Sequence, residues 1–221
     1  MVLQTADAPT EGTRERILEA ALDLFGERGL TGATVRDIAA RARVNVAAIS
    51  YHFGGKEELY RAVATAVAES IASRVRARIA AVVDRPPEDP EGALKALESV
   101  METVVDVIVG PPEIRRVARF ILREQMQPTA AFEHLYGALS HLHIAGCRLF
   151  ATAAGLDPEA AETRLLVFMS VGQAVFLRVA EAAVQRRMGI ERYDEAFLDQ
   201  AKTLLKQNVR AMVAAAREGT P

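Results

Sequence analysis

Residues 34–60 read TVRDIAARARVNVAAISYHFGGKEELY, and the placing of polar residues and glycines in this stretch decides the fold of the first third of the chain. Val35, Ile38 and Ala39 recur as one face of a helix, and the Thr34 hydroxyl before them suits an N-cap. Asp37 stands at the third helical position, where a carboxylate answers the positive helix end and a capping box can form. The spacing predicts a short helix over 35–42 and a turn at Arg43-Val44-Asn45 in which Val44 plugs the core. A third helix, capped by Asn45, follows over 46–52. Phe53-Gly54-Gly55 ends it, because paired glycines are costly inside a helix and cheap in a turn. Two short helices joined this way form a helix-turn-helix, whose second helix is shaped for the DNA major groove.

Upstream, Thr13 is the expected N-cap of a first helix over 14–28, with Ile17, Leu18, Ala21, Leu22 and Phe25 on one face and Gly29 as the stop. Residues 1–12 lack a basic stretch followed by an apolar one, so a disordered arm is expected there and not a secretory signal. Downstream, Lys56 opens a long helix to about Val83, with Leu59, Val63, Val67, Ile71, Val75 and Ile79 spaced by four. At about 1.5 Å per residue it reaches well beyond a small domain and serves as a connector. Pro86, Pro87 and Pro90 then force a loop. Further helices are expected over 91–109, 113–126, 129–154, 158–188 and 194–217, the eighth capped by Asp157 with Pro158 in its first turn.

The expected fold is all-α, about nine helices. A three-helix helix-turn-helix domain over 13–60 is joined by the long helix to an all-helical body over 61–221. Of the 221 residues, 50% are hydrophobic and 25% charged, which fits a folded soluble protein. A net charge of −2 argues against a non-specific DNA coater, yet a local basic strip is enough for an operator. The single Cys147 makes no intramolecular disulfide and fits a reducing cytoplasm, and no zinc set or other cofactor site is legible. The most apolar run, Leu165 to Leu177, falls short of the roughly 20 residues a bilayer span needs, so no membrane partner is expected.

The stretch from Thr34 to Leu59 resembles the TetR family of bacterial regulators. The form VNVAAISYHFGGKEELY at 44–60, together with REQMQPTAAFEHLY at 123–136, is similar to the CecR-like subgroup. That resemblance implies a homodimer that binds a palindromic double-stranded operator, most often as a repressor released by a small molecule. Activation, or regulation without a ligand, is the alternative. Two positions depart from the family pattern. Arg43 stands where Gly is frequent, so the turn must tolerate it or hold strain, and Asn45 stands where Ser or Thr is commoner but caps equally well.

Base reading falls first to Arg36, with Asn45 and Tyr51 assisting, while Val46, Ala47, Ala48 and Ser50 face the groove with small side chains that suit thymine methyls. Thr34, Arg43, Tyr51, His52 and Lys56 are donors for phosphate oxygens. Ile38, Val44, Phe53 and Leu59 are assigned to the core. An apolar or amphipathic effector is expected among Met101, Phe120, Met126, Phe132, Tyr136, His143, Cys147, Phe168 and Gln173, with Arg123 as an anion partner. The dimer face is expected at Gly172, Val175, Phe176, Val179, Ala183, Leu198, Leu205 and Met212, on the last two helices. The rival reading is an enzyme built on His134, His141, His143 and Cys147. It lacks an orienting carboxylate and a Gly-rich loop, and no reaction is assigned.

Overall fold

The computed structural model describes the backbone of residues 9–110 and 112–219, and the side chains of 12–74, 85–110 and 114–219. The first eight residues of the arm expected over 1–12, and the side chains of the last two apolar positions of the long helix, Val75 and Ile79, lie outside these, while residues 9–12 belong to the first helix and not to an arm.

Ten helices and no strand occur among the described residues: α1 Pro9–Gly32, α2 Val35–Ala42, α3 Val46–Phe53, α4 Lys56–Asp84, α5 Pro90–Ile108, α6 Pro112–Met126, α7 Phe132–Ala154, α8 Ala161–Val179, α9 Glu181–Met188 and α10 Glu195–Glu218. They form two compact units. The first combines residues 1–72 with 112–139, and the second combines 73–111 with 140–221.

The unit that holds the helix-turn-helix is therefore larger than residues 13–60. Its core is the expected face of α1, with Ile17, Ala21, Leu22 and Phe25 all at 0% exposure, joined by Ile38, Ile49, Leu59 and Val63. Tyr60 completes it, edge-on to Phe25 with centroids 4.7 Å apart and tilted against Phe120 of α6 at 5.2 Å. The Tyr60 hydroxyl donates to Glu124, a carboxylate with no exposed surface that also accepts from the backbone N–H and hydroxyl of Thr129. Burial, then the bond to Glu124, pushes the Tyr60 pKa well above the usual phenol range. Val44 and Phe53, both expected in the core, are only half-buried.

In the second unit α5, α8 and α10 pack together around Leu97, Met101, Val167, Ala174, Leu205, Val209 and Val213. An antiparallel ladder of opposite charges ties α5 to α10: Glu98 to Arg210, Glu102 to Lys206 and Asp106 to Lys202.

Several helix ends differ from expectation, each for a visible reason. The first helix begins at Pro9, and the Thr13 hydroxyl accepts from the Arg16 side chain (3.1 Å), so it is not the N-cap. The seventh begins at Phe132 because Thr129 is drawn onto Glu124 and its hydroxyl also caps Ala131 N–H (3.1 Å). Asp157 accepts from Glu159 N–H at 2.8 Å, but this closes only a turn, and regular helix starts at Ala161. The long eighth helix is two, α8 and α9, bent by 74° at Ala180. There the Tyr193 hydroxyl takes up the Leu177 carbonyl (2.8 Å), and the buried Arg178 guanidinium donates to the carbonyls of Ile108 and Val109 at the end of α5.

Candidate nucleic-acid interface

The cap and turn of the helix-turn-helix match the sequence reading closely. Thr34 Oγ1 accepts from Asp37 N–H (3.1 Å) at the start of α2, and Asn45 Oδ1 accepts from Ala47 N–H (2.9 Å) at the start of α3. Both caps use the acceptor of the side chain and leave its donor available to a phosphate. The Asp37 carboxylate pairs with Arg28 at 3.0 Å.

Arg43 resolves the question its position raises. It adopts φ 55° and ψ 49°, and it is the only non-glycine with positive φ among the described residues. Its N–H and that of Val44 fold back onto the carbonyls of Ala40 (3.2 Å) and Ala39 (3.0 Å), the paired bonds of a Schellman turn whose left-handed position is normally glycine. A side chain there costs about 1–2 kcal/mol of backbone strain. Gly54, at φ 84°, closes α3 in the same left-handed conformation without that cost.

On α3, Val46, Ala47, Ser50 and Tyr51 are exposed and Ala48 is half-buried. Tyr51 is 82% exposed, which excludes packing against α1, and its ring meets His52 edge-on at 5.1 Å. Among the arginines of this region, Arg28 and Arg41 are paired with Asp37 and Glu27, whereas Arg36 and Arg43 are exposed and have no acidic partner among the described residues. Lys56 is half-buried and donates from Nζ to the Ala33 carbonyl at 3.3 Å, so part of its role is to fasten the start of α4 to the turn before α2. All eleven expected DNA residues thus lie on α2, α3, their caps and the first residue of α4, within the first unit. The sequence reading missed Arg14, whose guanidinium stands over the Phe53 ring at 5.1 Å and brings a basic group to the end of α3.

The ten effector candidates divide between the two units. Phe120, Arg123, Met126, Phe132 and Tyr136 belong to the first unit, and Met101, His143, Cys147, Phe168 and Gln173 to the second. Arg123 donates to the carbonyls of Gly26 (3.2 Å) and Glu27 (2.9 Å), which engages two of its five N–H donors. Met126 is 76% exposed and Phe120 is fully buried. Gln173 accepts from Asn208 at 2.6 Å. His143 stacks on Phe168 with centroids 3.8 Å apart and lies 3.6 Å from the Cys147 sulfur. Burial pushes the Cys147 thiol pKa up, the reverse of an activated nucleophile. A cavity of about 400 Å³ in the second unit is lined by Ser99, Glu102, Thr103, Asp106, Asp199 and Lys202, none of them an expected effector contact.

The dimer candidates divide. Phe176 and Val179 are 63% and 62% exposed, Gly172 and Ala183 are also exposed, and Leu165, Phe168 and Met169 extend this stripe along α8. Leu205 is the correction: it is 4% exposed and turned inward with Val209 and Val213, so Leu204, at 51%, is the outward leucine of α10. Val175, Leu198 and Met212 are half-buried.

This fold and this interface define a bacterial helix-turn-helix transcription regulator. Residues 17–63 match the family of bacterial regulatory proteins of tetR type, and residues 93–216 match the C-terminal domain of the HTH-type transcriptional dual regulator CecR. The CecR of Shigella flexneri is 31% identical over 189 residues, 84% of each chain. The HTH-type transcriptional repressor AcnR of Corynebacterium efficiens is 42% identical over 64 residues, 29% of this chain and 34% of AcnR. A TetR-like transcriptional regulator from Rhodococcus sp. RHA1 shares the fold with a TM-score of 0.66 at 18% identity, covering 96% of this chain and 99% of that one. The chain belongs to the TetR family, in its CecR branch.

Proposed function

We propose that the protein is a homodimeric repressor that holds a two-fold operator through α2 and α3 and leaves it when a small apolar or amphipathic molecule occupies the helical body. The observation that carries this reading is the pairing of two exposed features: a helix-turn-helix with unpaired arginines at Arg36 and Arg43, and an apolar stripe along α8 that a second copy would cover. Two-fold closure presents two recognition helices to two half-sites.

In this reading Arg36 reads bases, with Asn45 and Tyr51 beside it, and Val46, Ala47, Ala48 and Ser50 follow the groove floor. Thr34, Arg43, His52 and Lys56 hold phosphates. The effector acts by differential affinity, favouring the arrangement of the two heads that fits the operator less well, with α4 as the lever between head and body. The protein works in the cytoplasm, where its operator is, and His143 and Cys147 carry out no reaction. Because the CecR relative is described as a dual regulator, activation at some promoters is the second reading.

The test is binding of the purified protein to the intergenic DNA upstream of its own gene against scrambled DNA, across a salt series. Selective binding with a steep salt dependence supports the reading, and equal weak binding to both duplexes overturns it.

A further inference from the structure

Three arginines of α6 grip α1 along one face. Arg116 bonds the carboxylates of both Glu19 and Asp23 and donates to the Glu19 carbonyl at 2.8 Å. Arg119 stands 3.8 Å from Glu27, and Arg123 donates to the carbonyls of Gly26 and Glu27, just before Gly29 turns the chain at φ 72°. The two helices run close at Gly26, where a Cβ would stand in ordinary contact, 3.6 Å from the Phe120 nitrogen. Burial works against the Arg116 charge, but the bonds to Asp23 and Glu19 outweigh it and hold its pKa above the usual guanidinium range, so it stays charged.

The grip continues into the DNA-reading helices. Glu27, which faces Arg119, also pairs with Arg41 in the last turn of α2 at 3.4 Å, and Asp37 in the first turn of α2 pairs with Arg28 of α1 at 3.0 Å. Both ends of α2 are thus pinned to α1 by ion pairs, and α1 is pinned to α6. Apolar packing is non-directional and leaves a helix able to slide or roll, whereas a guanidinium fork bonding two carboxylates and carbonyls admits one arrangement.

We propose that Arg116, Arg119 and Arg123 of α6 are positioning residues for DNA recognition. They fix α1 and, through Glu27 and Arg41, the angle at which α2 and the Arg43 turn meet the operator, without touching DNA themselves. The proposal rests on DNA recognition by α2 and α3, and it assigns α6 to the reading head although some fifty residues of chain separate them.

The probes are a duplex enriched from a random pool by the unmodified protein and a random-sequence duplex of the same length. Arg116→Met is expected to weaken the enriched duplex about tenfold, to change random-duplex binding less than about twofold, and to leave the salt slope unaltered. Arg116→Lys, which keeps the charge but loses the fork, recovers part of that loss. Glu27→Gln, at a more exposed position, gives the same pattern at about threefold and decides the matter alone if Arg116→Met does not fold. Unchanged affinity for the enriched duplex in these variants overturns the proposal. So does a parallel loss on both duplexes with a slope smaller by about one, since that marks a direct phosphate contact.

If the unmodified protein enriches no duplex, the DNA reading itself has failed and hydrogen exchange of the DNA-free protein judges the grip. Faster exchange of amides 35–53 in Arg116→Met, with α8 and α10 unaffected, supports it, and a uniform or absent change overturns it.

Discussion

Two helices of this protein turn apolar side chains to the outside, and they do so on different scales. On α3 the outward residues are Val46, Ala47, Ser50 and Tyr51, and on α8 they are Leu165, Phe168, Met169, Phe176 and Val179. At roughly 25 cal/mol per Å², covering each large side chain of α8 is worth on the order of 1 kcal/mol, whereas an alanine methyl offers a small fraction of that. In the proposed function α3 must enter and leave a DNA groove without sticking to anything else, while α8, meant for a permanent partner, gains from size. Exposure alone does not separate the two, but side-chain volume does at every position except Val46 and Tyr51.

The comparison breaks first, if it breaks, at Phe176. Glutamate there puts a carboxylate into the α8 stripe twice in a two-fold interface, and self-association should weaken by at least roughly a hundredfold in sedimentation equilibrium. An unchanged association constant would mean that the stripe serves something other than a second copy. Arg36→Ala should leave self-association alone and cost about 1–3 kcal/mol of discrimination at one base position, measured as affinity for single-base variants of the enriched duplex. If discrimination survives at every position, α2 does not read bases.

Arg43→Gly should raise thermal stability by up to about 1 kcal/mol while weakening DNA binding several-fold, because it removes strain and a phosphate donor together. A lower melting temperature would show that the Arg43 side chain contributes more to the fold than its backbone costs. Tyr51→Ala is the smallest effect on the fold. A ring this exposed should leave stability within about 0.5 kcal/mol, with any change confined to DNA affinity.

What the sequence made legible was local. Thr34 and Asn45 were readable as caps because a cap acts two or three residues away, and the apolar face of α1 was readable because a helix repeats within its own length. Some misreadings were also local, as at Thr13, Thr129 and Asp157, whose side chains take partners within five residues, but others arose where the deciding partner is distant in the chain. The α8–α9 bend depends on Tyr193 and on the end of α5, and Arg123 likewise bonds carbonyls of α1, nearly a hundred positions upstream. Leu204 and Leu205 are adjacent, so periodicity allowed either to face outward, and only the inward set Leu205, Val209 and Val213 selects between them. The effector residues were chosen by chemical type, which says nothing about which compact unit a side chain joins.

The discontinuity of the first unit bears on how the protein is made. A chain emerging from the ribosome delivers α1, α2 and α3 early, but Arg116, Glu124 and Thr129 only after residues 73–111 have passed. At roughly 5–20 residues per second, that interval lasts several seconds. Until then the partners that Glu19, Asp23 and the Tyr60 hydroxyl keep in the finished molecule have not been made. The helix-turn-helix is therefore translated first, and the compact unit that holds it is completed late.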